Sequence, residues 1–264
     1  MEERSGKLSD AKQNSTSIAA FEEFDGRKRK ASYLDLKRFR GDLPVSSMKS
    51  EIVELVQRHQ VVIISGETGS GKSTQIPQFL LEAAIEGKNA GNTNIVCTQP
   101  RRISATSIAS RVSEEMGDPQ AFGKGAFVGY SVRLDSRVGP STRLTFQTTG
   151  VLLRRLEQDP MLNGVSHVIV DEVHERSLDS DFLLLNLRRL LLHRRDLRIV
   201  LMSATADSAK FATYFESALE GLYCPVLTVP GRTFPVEAFF LEDAVEACGY
   251  EIDTGSEFAV RERY

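Results

Sequence analysis

Short apolar runs alternate along this chain with stretches whose apolar residues recur at helical spacing. The runs are rich in β-branched residues and predict buried strands at 61–64, 95–98, 127–132, 143–147, 167–171, 197–202 and 226–229. The helical spacing predicts helices at 104–116, 151–156, 180–194 and 208–215. Strands that alternate with helices of this length form a parallel sheet covered on both faces. The predicted fold is therefore α/β, a three-layer αβα sandwich.

The first 45 residues do not share this pattern. They are polar, have no regular apolar spacing and carry two basic clusters, at 27–30 and 37–40. Such a composition predicts a disordered basic arm over residues 1–45. A solvated tail, a nuclear-import signal and an auxiliary RNA contact all fit these clusters, and the sequence leaves the three open.

A glycine-rich segment follows the predicted strand at 61–64, with the sequence Gly66-Glu67-Thr68-Gly69-Ser70-Gly71-Lys72-Ser73-Thr74. It fits the pattern of a phosphate-binding loop, or P-loop, in which glycines let the backbone N–H groups surround a polyphosphate. Lys72 would reach the β- and γ-phosphates, and the Ser73 hydroxyl would bind Mg²⁺. The sequence therefore predicts a site for a nucleoside triphosphate and Mg²⁺.

Two carboxylates stand at the end of the predicted strand at 167–171. Asp171 and Glu172 would lie at the edge where open α/β sheets bind ligands. Asp171 would be a second anchor for Mg²⁺ beside Ser73, and Glu172 would orient or deprotonate the attacking water. His174 fits either a plain surface histidine or a link between the nucleotide state and the rest of the molecule.

Composition limits the cellular setting and the partners. The net charge of −3 provides no global basic field, so nucleic acid would have to bind local patches. Cys97, Cys224 and Cys248 are far apart and lack metal-ligand spacing, which suits reduced thiols. No apolar run approaches the ~18 residues that span a membrane, and no secretion signal is visible. We expect no membrane contact and a cytoplasmic or nuclear location, with the cytoplasm favoured.

Five short sequence motifs occur along the chain in the same order as in a known protein family. They are Gly-Glu-Thr-Gly-Ser-Gly-Lys-Ser-Thr-Gln at 66–75, Thr-Gln-Pro-Arg-Arg at 98–102, Gln-Thr-Thr-Gly at 147–150, Asp-Glu-Val-His at 171–174 and Ser-Ala-Thr at 203–205. Together they resemble the DEAH/RHA (DExH-box) RNA helicases of superfamily 2, over roughly residues 43–264. The Val173 position and the segment 241–258 are most similar to the DExH subgroup that acts in translation initiation.

The resemblance implies roles for individual residues, with ATP as the nucleotide. Arg101 and Arg102 match the motif that grips the backbone of single-stranded RNA, and Thr148 and Thr149 match a second backbone contact. Arg133 lies in a phrase near the same track. Guanidinium and hydroxyl groups pair with phosphate oxygens without reading bases. Without the resemblance, the two neighbouring arginines would fit a solvated loop equally well.

Three further positions match family residues. Arg111 aligns with an arginine that stacks on adenine, although an exposed arginine on an amphipathic helix fits its pattern too. Ser203 and Thr205 resemble residues that couple hydrolysis to strand movement. Without the resemblance, these two residues would also fit a serine–threonine turn after a strand.

The resemblance also implies the domain organisation. Residues 46–235 would form a RecA-like ATP-binding domain, and residues 236–264 the start of a second one, entered by a strand at 236–240. Helicases of this family bind ATP between two such domains, and the second domain supplies arginines that stabilise the transition state. In related phosphoryl-transfer enzymes such an arginine raises the reaction rate ~10³–10⁵-fold. No Gln-x-x-Gly-Arg-x-Gly-Arg segment follows here. We expect the chain to bind Mg-nucleotide, hydrolyse it slowly and unwind no duplex by itself.

The expected partners are single-stranded or structured RNA, a second RecA-like domain and, by resemblance, a ribosome or ribonucleoprotein. Two other functions remain open. A non-catalytic nucleotide-binding adaptor is disfavoured because Lys72, Asp171 and Glu172 are all present. A P-loop ATPase that acts on DNA or protein is the other, and only the resemblance favours RNA over DNA.

Overall fold

A single sheet organises the part of the chain that the computed structural model describes, which is residues 2–118, 122–123, 125–204, 208–218, 221–231 and 237–250, with side chains from residue 11 onward. Its strands are β1 (Val61–Gly66), β2 (Ile95–Gln99), β3 (Val128–Val132), β4 (Asp135–Arg137), β5 (Leu144–Thr148), β6 (His167–Val170), β7 (Arg198–Ser203) and β8 (Val226–Val229). The spatial order is β4-β3-β5-β2-β6-β7-β1-β8. All neighbours are parallel except β3 and β4, which pair antiparallel.

Helices cover both faces of this sheet. In the described residues they are α1 (Glu2–Lys28), α2 (Ala31–Gly41), α3 (Lys49–Arg58), α4 (Lys72–Glu86), α5 (Arg102–Glu115), α6 (Thr149–Gln158), α7 (Leu178–Leu190), α8 (Ser208–Glu216) and α9 (Leu241–Cys248). Alternate residues of β1 enter opposite cores: Val62 packs with the α1–α5 side, and Val61 with the α6–α8 side. Because both faces are covered, β1 is buried at every position and apolar from Val61 to Ile64. The predicted three-layer α/β fold is confirmed.

The predicted strands and most predicted helices match the structure within two residues. Helix α7 is the exception, since it ends at Leu190 rather than at 194. It begins where the Ser177 hydroxyl accepts a hydrogen bond from the Ser180 backbone N–H, 3.2 Å away. Strand β4 was not predicted, because its residues Asp135, Ser136 and Arg137 are polar and exposed at the sheet edge.

The N-terminal arm differs from the sequence prediction. Residues 1–45 were expected to be disordered, but α1 and α2 lie in this segment and pack on the domain. One stripe of α1 is buried, formed by Ser17, Ala20, Phe24 and Arg27. The polar half of that stripe finds tertiary partners: the Ser17 hydroxyl accepts from the Gly91 N–H at 2.8 Å, and Arg27 pairs with Asp118. The prediction was wrong because these partners are remote in sequence.

The two basic clusters are therefore only partly exposed. Arg27 is buried, with its guanidinium 4.2 Å from the centre of the Phe127 ring. Lys28 pairs with Glu86 at 2.6 Å, and Arg40 is buried in α2. Arg29 and Arg38 form exposed ion pairs with Asp25 and Asp35, so five of the eight cluster positions serve the fold or an ion pair.

The chain divides into two compact units, Met1–Arg232 and Thr233–Tyr264. In the second, the described residues 237–250 contain α9 and no strand, so the predicted strand at 236–240 is absent from its described part, 237–240. The Asp243 carboxylate accepts the Phe240 backbone N–H at 2.7 Å and caps the helix start. Whether this unit opens a second RecA-like domain stays a prediction. No helix among the described residues is long and apolar enough to cross a membrane.

His167, at the start of β6, gives the fold a specific sensitivity to acid. Burial, reinforced by the charge of Arg198, lowers its pKa from 6.5 to about 4. The unfolded chain therefore takes up this proton below pH 6.5 while the folded chain resists it until about pH 4, so stability falls as the pH drops through that window. Between pH 7.5 and 4, we expect the free energy of unfolding to fall by about 3 kcal/mol more in the wild type than in His167→Gln. Urea titrations at several pH values measure this, and parallel curves for the two proteins would contradict it.

Candidate functional site

The segment 66–74 runs from the last residue of β1, through a turn at 67–71, into the first residues of α4. Gly69 and Gly71 have left-handed backbones, with φ of 82° and 92°, which favour glycine. Gly66 is required for another reason, because a Cβ there would lie 2.7 Å from the Val229 carbonyl oxygen of β8. The Val45 N–H donates to the Ser70 carbonyl at 3.2 Å and ties the turn to the residues before α3. The conformation of the loop therefore depends on its glycines, and contacts with Val229 and Val45 hold it in place.

Lys72 is the first residue of α4, and its side chain folds over the loop. Its ammonium donates to the carbonyl oxygens of Gly66 and Glu67, at 2.5 and 2.8 Å, and to the Ser70 hydroxyl at 3.2 Å. Burial lowers the pKa of Lys72, while the nearby charges of Asp171, Glu172 and Glu67 oppose that change. A buried cation thus stands at the N-terminus of a helix, where anions are stabilised.

Asp171 follows β6 and is buried beside the start of α4. Its Oδ2 accepts from Gln99 Nε2 at 2.6 Å and its Oδ1 from the Glu172 N–H at 2.9 Å. The Ser73 hydroxyl also hydrogen-bonds to this carboxylate. Burial raises the pKa of Asp171, and these hydrogen bonds and Lys72 hold it down. The structure brings together the two predicted Mg²⁺ ligands, a carboxylate and a hydroxyl, which are the hard oxygen donors that this ion prefers.

Glu172 adopts a left-handed backbone, with φ of 55°, and its side chain faces the same cavity as the loop. Burial, and then the charge of Asp171, raises its pKa above the usual range. A non-glycine residue in this conformation carries strain of order 1–3 kcal/mol, which functional sites often store. The carboxylate is thus more basic than a solvated one and aimed at the loop.

His174 joins this region to the end of β7. Its Nδ1 accepts the backbone N–H of Ala204 at 3.2 Å and lies 3.4 Å from Glu172 Oε2. Ser203 is buried at the end of β7, and Ser65 of β1 is its register partner. Thr205 lies outside the described residues. Of the predicted coupling residues, the structure therefore places His174 in contact with Glu172 and Ala204, which both line the same cavity as the phosphate loop.

One cavity of about 410 Å³ connects these groups. It is lined by Phe39, Leu43, Thr68, Gly69, Gly71, Lys72, Ser73, Thr74, Arg111, Glu115, Glu172 and Ala204. Arg111, predicted to meet the base, stands on α5, and its Nε donates to Glu115 Oε1 at 2.7 Å. The predicted phosphate and base contacts therefore open into the same space.

A second cleft, of about 830 Å³, lies at the ends of β2, β3 and β5. All five predicted RNA contacts line it: Arg101, Arg102, Arg133, Thr148 and Thr149. The three arginines are exposed, whereas Thr149 is buried at the start of α6. Because the strands are parallel, this cleft and the nucleotide cavity share one edge of the sheet.

The charge in the second cleft is mainly positive. Arg154 adds a fourth arginine, and the two carboxylates of Glu175 and Asp179 offset part of the charge. Arg101 lies 3.4 Å from Glu175, an exposed pair of little energetic weight. Guanidiniums beside hydroxyls suit a phosphate backbone and do not read base sequence.

The sequence of this domain matches a known protein family. The family model described as DEAD/DEAH box helicase matches residues 46–212. The chain belongs to the DEAD/DEAH box helicase family. The match covers the P-loop, the Asp-Glu-Val-His segment and the arginine-lined cleft, so the motif resemblance is confirmed as a family relationship.

Among curated proteins, the helicase domain resembles three in particular. It is 53% identical over 228 residues to ATP-dependent RNA helicase dhx29 of Xenopus laevis, covering 86% of this chain and 16% of that protein. It is 50% identical over 236 residues to DExH-box ATP-dependent RNA helicase DExH1 of Arabidopsis thaliana, with coverages of 89% and 23%. For the human putative ATP-dependent RNA helicase DHX57 the figures are 48% over 236 residues, with 89% and 16%. The chain thus spans between about a sixth and a quarter of these relatives.

Three residues of the helicase domain's site escaped the sequence analysis. Gln99 orients Asp171 across two neighbouring strands, and Phe39 reaches the nucleotide cavity from α2. Both depend on tertiary contacts that no local pattern reveals. Arg154 could have been found, because it lies four residues after Gly150 of the Gln-Thr-Thr-Gly motif and so on the same helix face as that motif's last residue.

Proposed function

We propose that this chain is the ATP-binding motor domain of an ATP-dependent RNA helicase, in which Mg-ATP binds the loop cavity and RNA crosses the arginine-lined cleft. One observation carries the proposal. The P-loop lysine, the buried carboxylate beside Ser73 and four arginines all stand at one edge of one sheet, so the two ligands would lie side by side.

In the nucleotide cavity, the loop N–H groups and Lys72 would hold the phosphates. Ser73 and Asp171 would hold Mg²⁺. When bound, this ion would neutralise negative charge on the phosphate oxygens. The hydrogen bond from Gln99 orients Asp171 and favours its ionised form against the effect of burial. Glu172 would accept the proton of the attacking water, a role suited to its raised pKa.

In the second cleft, the guanidiniums and threonine hydroxyls would contact phosphates of single-stranded or structured RNA. Binding would tolerate many sequences and weaken with salt, with a slope of about −0.7 per phosphate contact. Competition between RNA and DNA of the same sequence, read by fluorescence anisotropy, tests the preference for RNA. Stronger competition by DNA would contradict it.

The nucleotide site is tested by titrating the chain with Mg-ATP in a calorimeter. We expect Lys72→Ala to weaken binding about 10- to 100-fold, because a buried cation then no longer pairs with the phosphates. Lys12→Ala, which removes an exposed lysine of α1, is the control and should bind like the wild type. Equal affinities of all three proteins would argue against phosphate binding by this loop.

The larger protein setting is also a proposal. A second RecA-like domain would close over the nucleotide and supply the arginines expected for fast hydrolysis, and association with a ribosome or ribonucleoprotein follows from the family resemblance alone. We place the protein in the cytoplasm or nucleus, with the cytoplasm favoured. The three free cysteines, two of them buried and one exposed, support a reducing compartment.

A further inference from the structure

We propose that Phe39, from the N-terminal helix α2, is part of the nucleotide site and forms a wall of its base-binding end beside Arg111. This inference rests on the proposed function, because it adds a contact to the same ATP site. It also gives a role in nucleotide binding to the N-terminal arm, which the sequence had predicted to be disordered.

The position of the ring is the first observation. Phe39 and Arg111 line the cavity that also contains Gly69, Lys72 and Ser73. When the phosphates lie on the loop, the base has to extend beyond it, and these two side chains lie in the same 410 Å³ space. The Arg111 guanidinium carbon is 5.5 Å from the centre of the Phe39 ring. Two flat groups therefore stand together at one site.

The exposure of Phe39 is the second observation. The side chain is 60% exposed, while Arg40, the next residue, is 6% exposed. A single exposed aromatic residue is ordinary on a protein surface and by itself means nothing. Here the exposed ring faces a cavity with a phosphate loop, so a bound base would cover apolar surface that is otherwise in water.

The rigidity of its support is the third observation. Arg40 anchors α2 to the helix that starts at the phosphate loop: its Nε donates to Gln75 Oε1 at 2.8 Å, and a terminal nitrogen donates to Glu82 Oε1 at 2.9 Å. Gln75 and Glu82 both belong to α4. The helix that carries Phe39 is thus anchored to the helix that begins at Lys72.

The same polar network holds Arg111. Glu115, which accepts from Arg111, also accepts from the side-chain amides of Gln75 and Gln78, each at 2.9 Å. Arg40 and Arg111 therefore share partners, and one buried cluster sets both flat groups of the base end. Stacking on such groups depends on the area of the base and not on its hydrogen-bonding edge.

The test separates base contacts from phosphate contacts. Calorimetric titrations compare Mg-ATP with Mg-tripolyphosphate, which has no base, for the wild type, Phe39→Ala, Phe39→Tyr and Leu34→Ala. Leu34 is the matched control because it is a 44% exposed apolar residue of the same helix and does not line the cavity. Thermal melting verifies that each variant is folded.

We expect Phe39→Ala to weaken ATP binding about 5- to 10-fold, at the lower end of base–aromatic stacking, and to leave tripolyphosphate binding unchanged. Phe39→Tyr keeps the ring and should retain ATP affinity, and Leu34→Ala should match the wild type. Equal losses for ATP and tripolyphosphate would overturn the proposal, since Phe39 would then act through the fold alone. Unchanged or tighter ATP binding by Phe39→Ala would overturn it as well. Failure of the wild type to bind either ligand would instead reject the nucleotide site itself, a separate result.

Discussion

Replacing Glu172 by glutamine is expected to lower the rate constant of ATP hydrolysis by about 10²- to 10⁴-fold, the usual contribution of a general base. Glutamine has the same size but cannot accept the proton of the attacking water. ATP affinity should change little, because the carboxylate faces the cavity without belonging to the phosphate loop. Single-turnover hydrolysis of labelled ATP, with the protein in excess, measures slow rates of this kind.

The matched control for this experiment is Glu175→Gln. Glu175 lies three residues further along and faces the other cleft, where it pairs with Arg101. Its replacement should leave hydrolysis in the absence of RNA unchanged. If both variants hydrolyse ATP at the wild-type rate, Glu172 is not the base. If both lose activity equally, the loss comes from the general charge of the region.

Replacing Phe24 by alanine is expected to lower the free energy of unfolding by about 3–5 kcal/mol, as for other buried phenylalanines. Phe24 is 1% exposed. Its ring meets those of Tyr33 and Phe127 edge to face, with centroids 5.9 and 6.3 Å apart. Urea denaturation of the wild type and the variant measures the difference.

The same helix supplies the control for Phe24. Ile18 is 43% exposed, and its replacement by alanine should change the free energy of unfolding by no more than about 0.5 kcal/mol. A disordered arm would make both substitutions neutral. The Phe24 result therefore decides between the packed arm and the disordered one that the sequence had predicted.

The sheet was predictable because its physical cause is local. Parallel strands buried on both faces read as continuous apolar runs, and Val61–Gly66 is such a run up to its last two residues. The arm was not predictable in this way. Its buried stripe combines the apolar Phe24 with the polar Ser17 and Arg27. Ser17 hydrogen-bonds to Gly91, 74 residues further along the chain, and Arg27 pairs with Asp118, 91 residues further along.

The residues of the candidate site also fall into those that local sequence patterns identify and those that depend on tertiary contacts. Lys72, Ser73 and Asp171 could be identified because the spacing of a phosphate loop and the end of a strand fix where they stand. Gln99 and Phe39 reach the site only through strand order and helix docking, which single-sequence patterns do not contain. The motifs thus identified the residues proposed to contact the phosphates and Mg²⁺. They did not identify Gln99, which orients Asp171, or Phe39, which lines the nucleotide cavity.

The hydrogen bond from Gln99 to Asp171 has a thermodynamic consequence. Gln99 ends β2, and Arg101 follows it by two residues, so one short segment of chain touches both the carboxylate proposed for Mg²⁺ and the cleft proposed for RNA. Coupling between two binding equilibria is reciprocal. By whatever factor RNA changes the affinity for ATP, ATP must change the affinity for RNA by that same factor. A measurement of either affinity with and without the other ligand therefore gives the coupling free energy between the two sites.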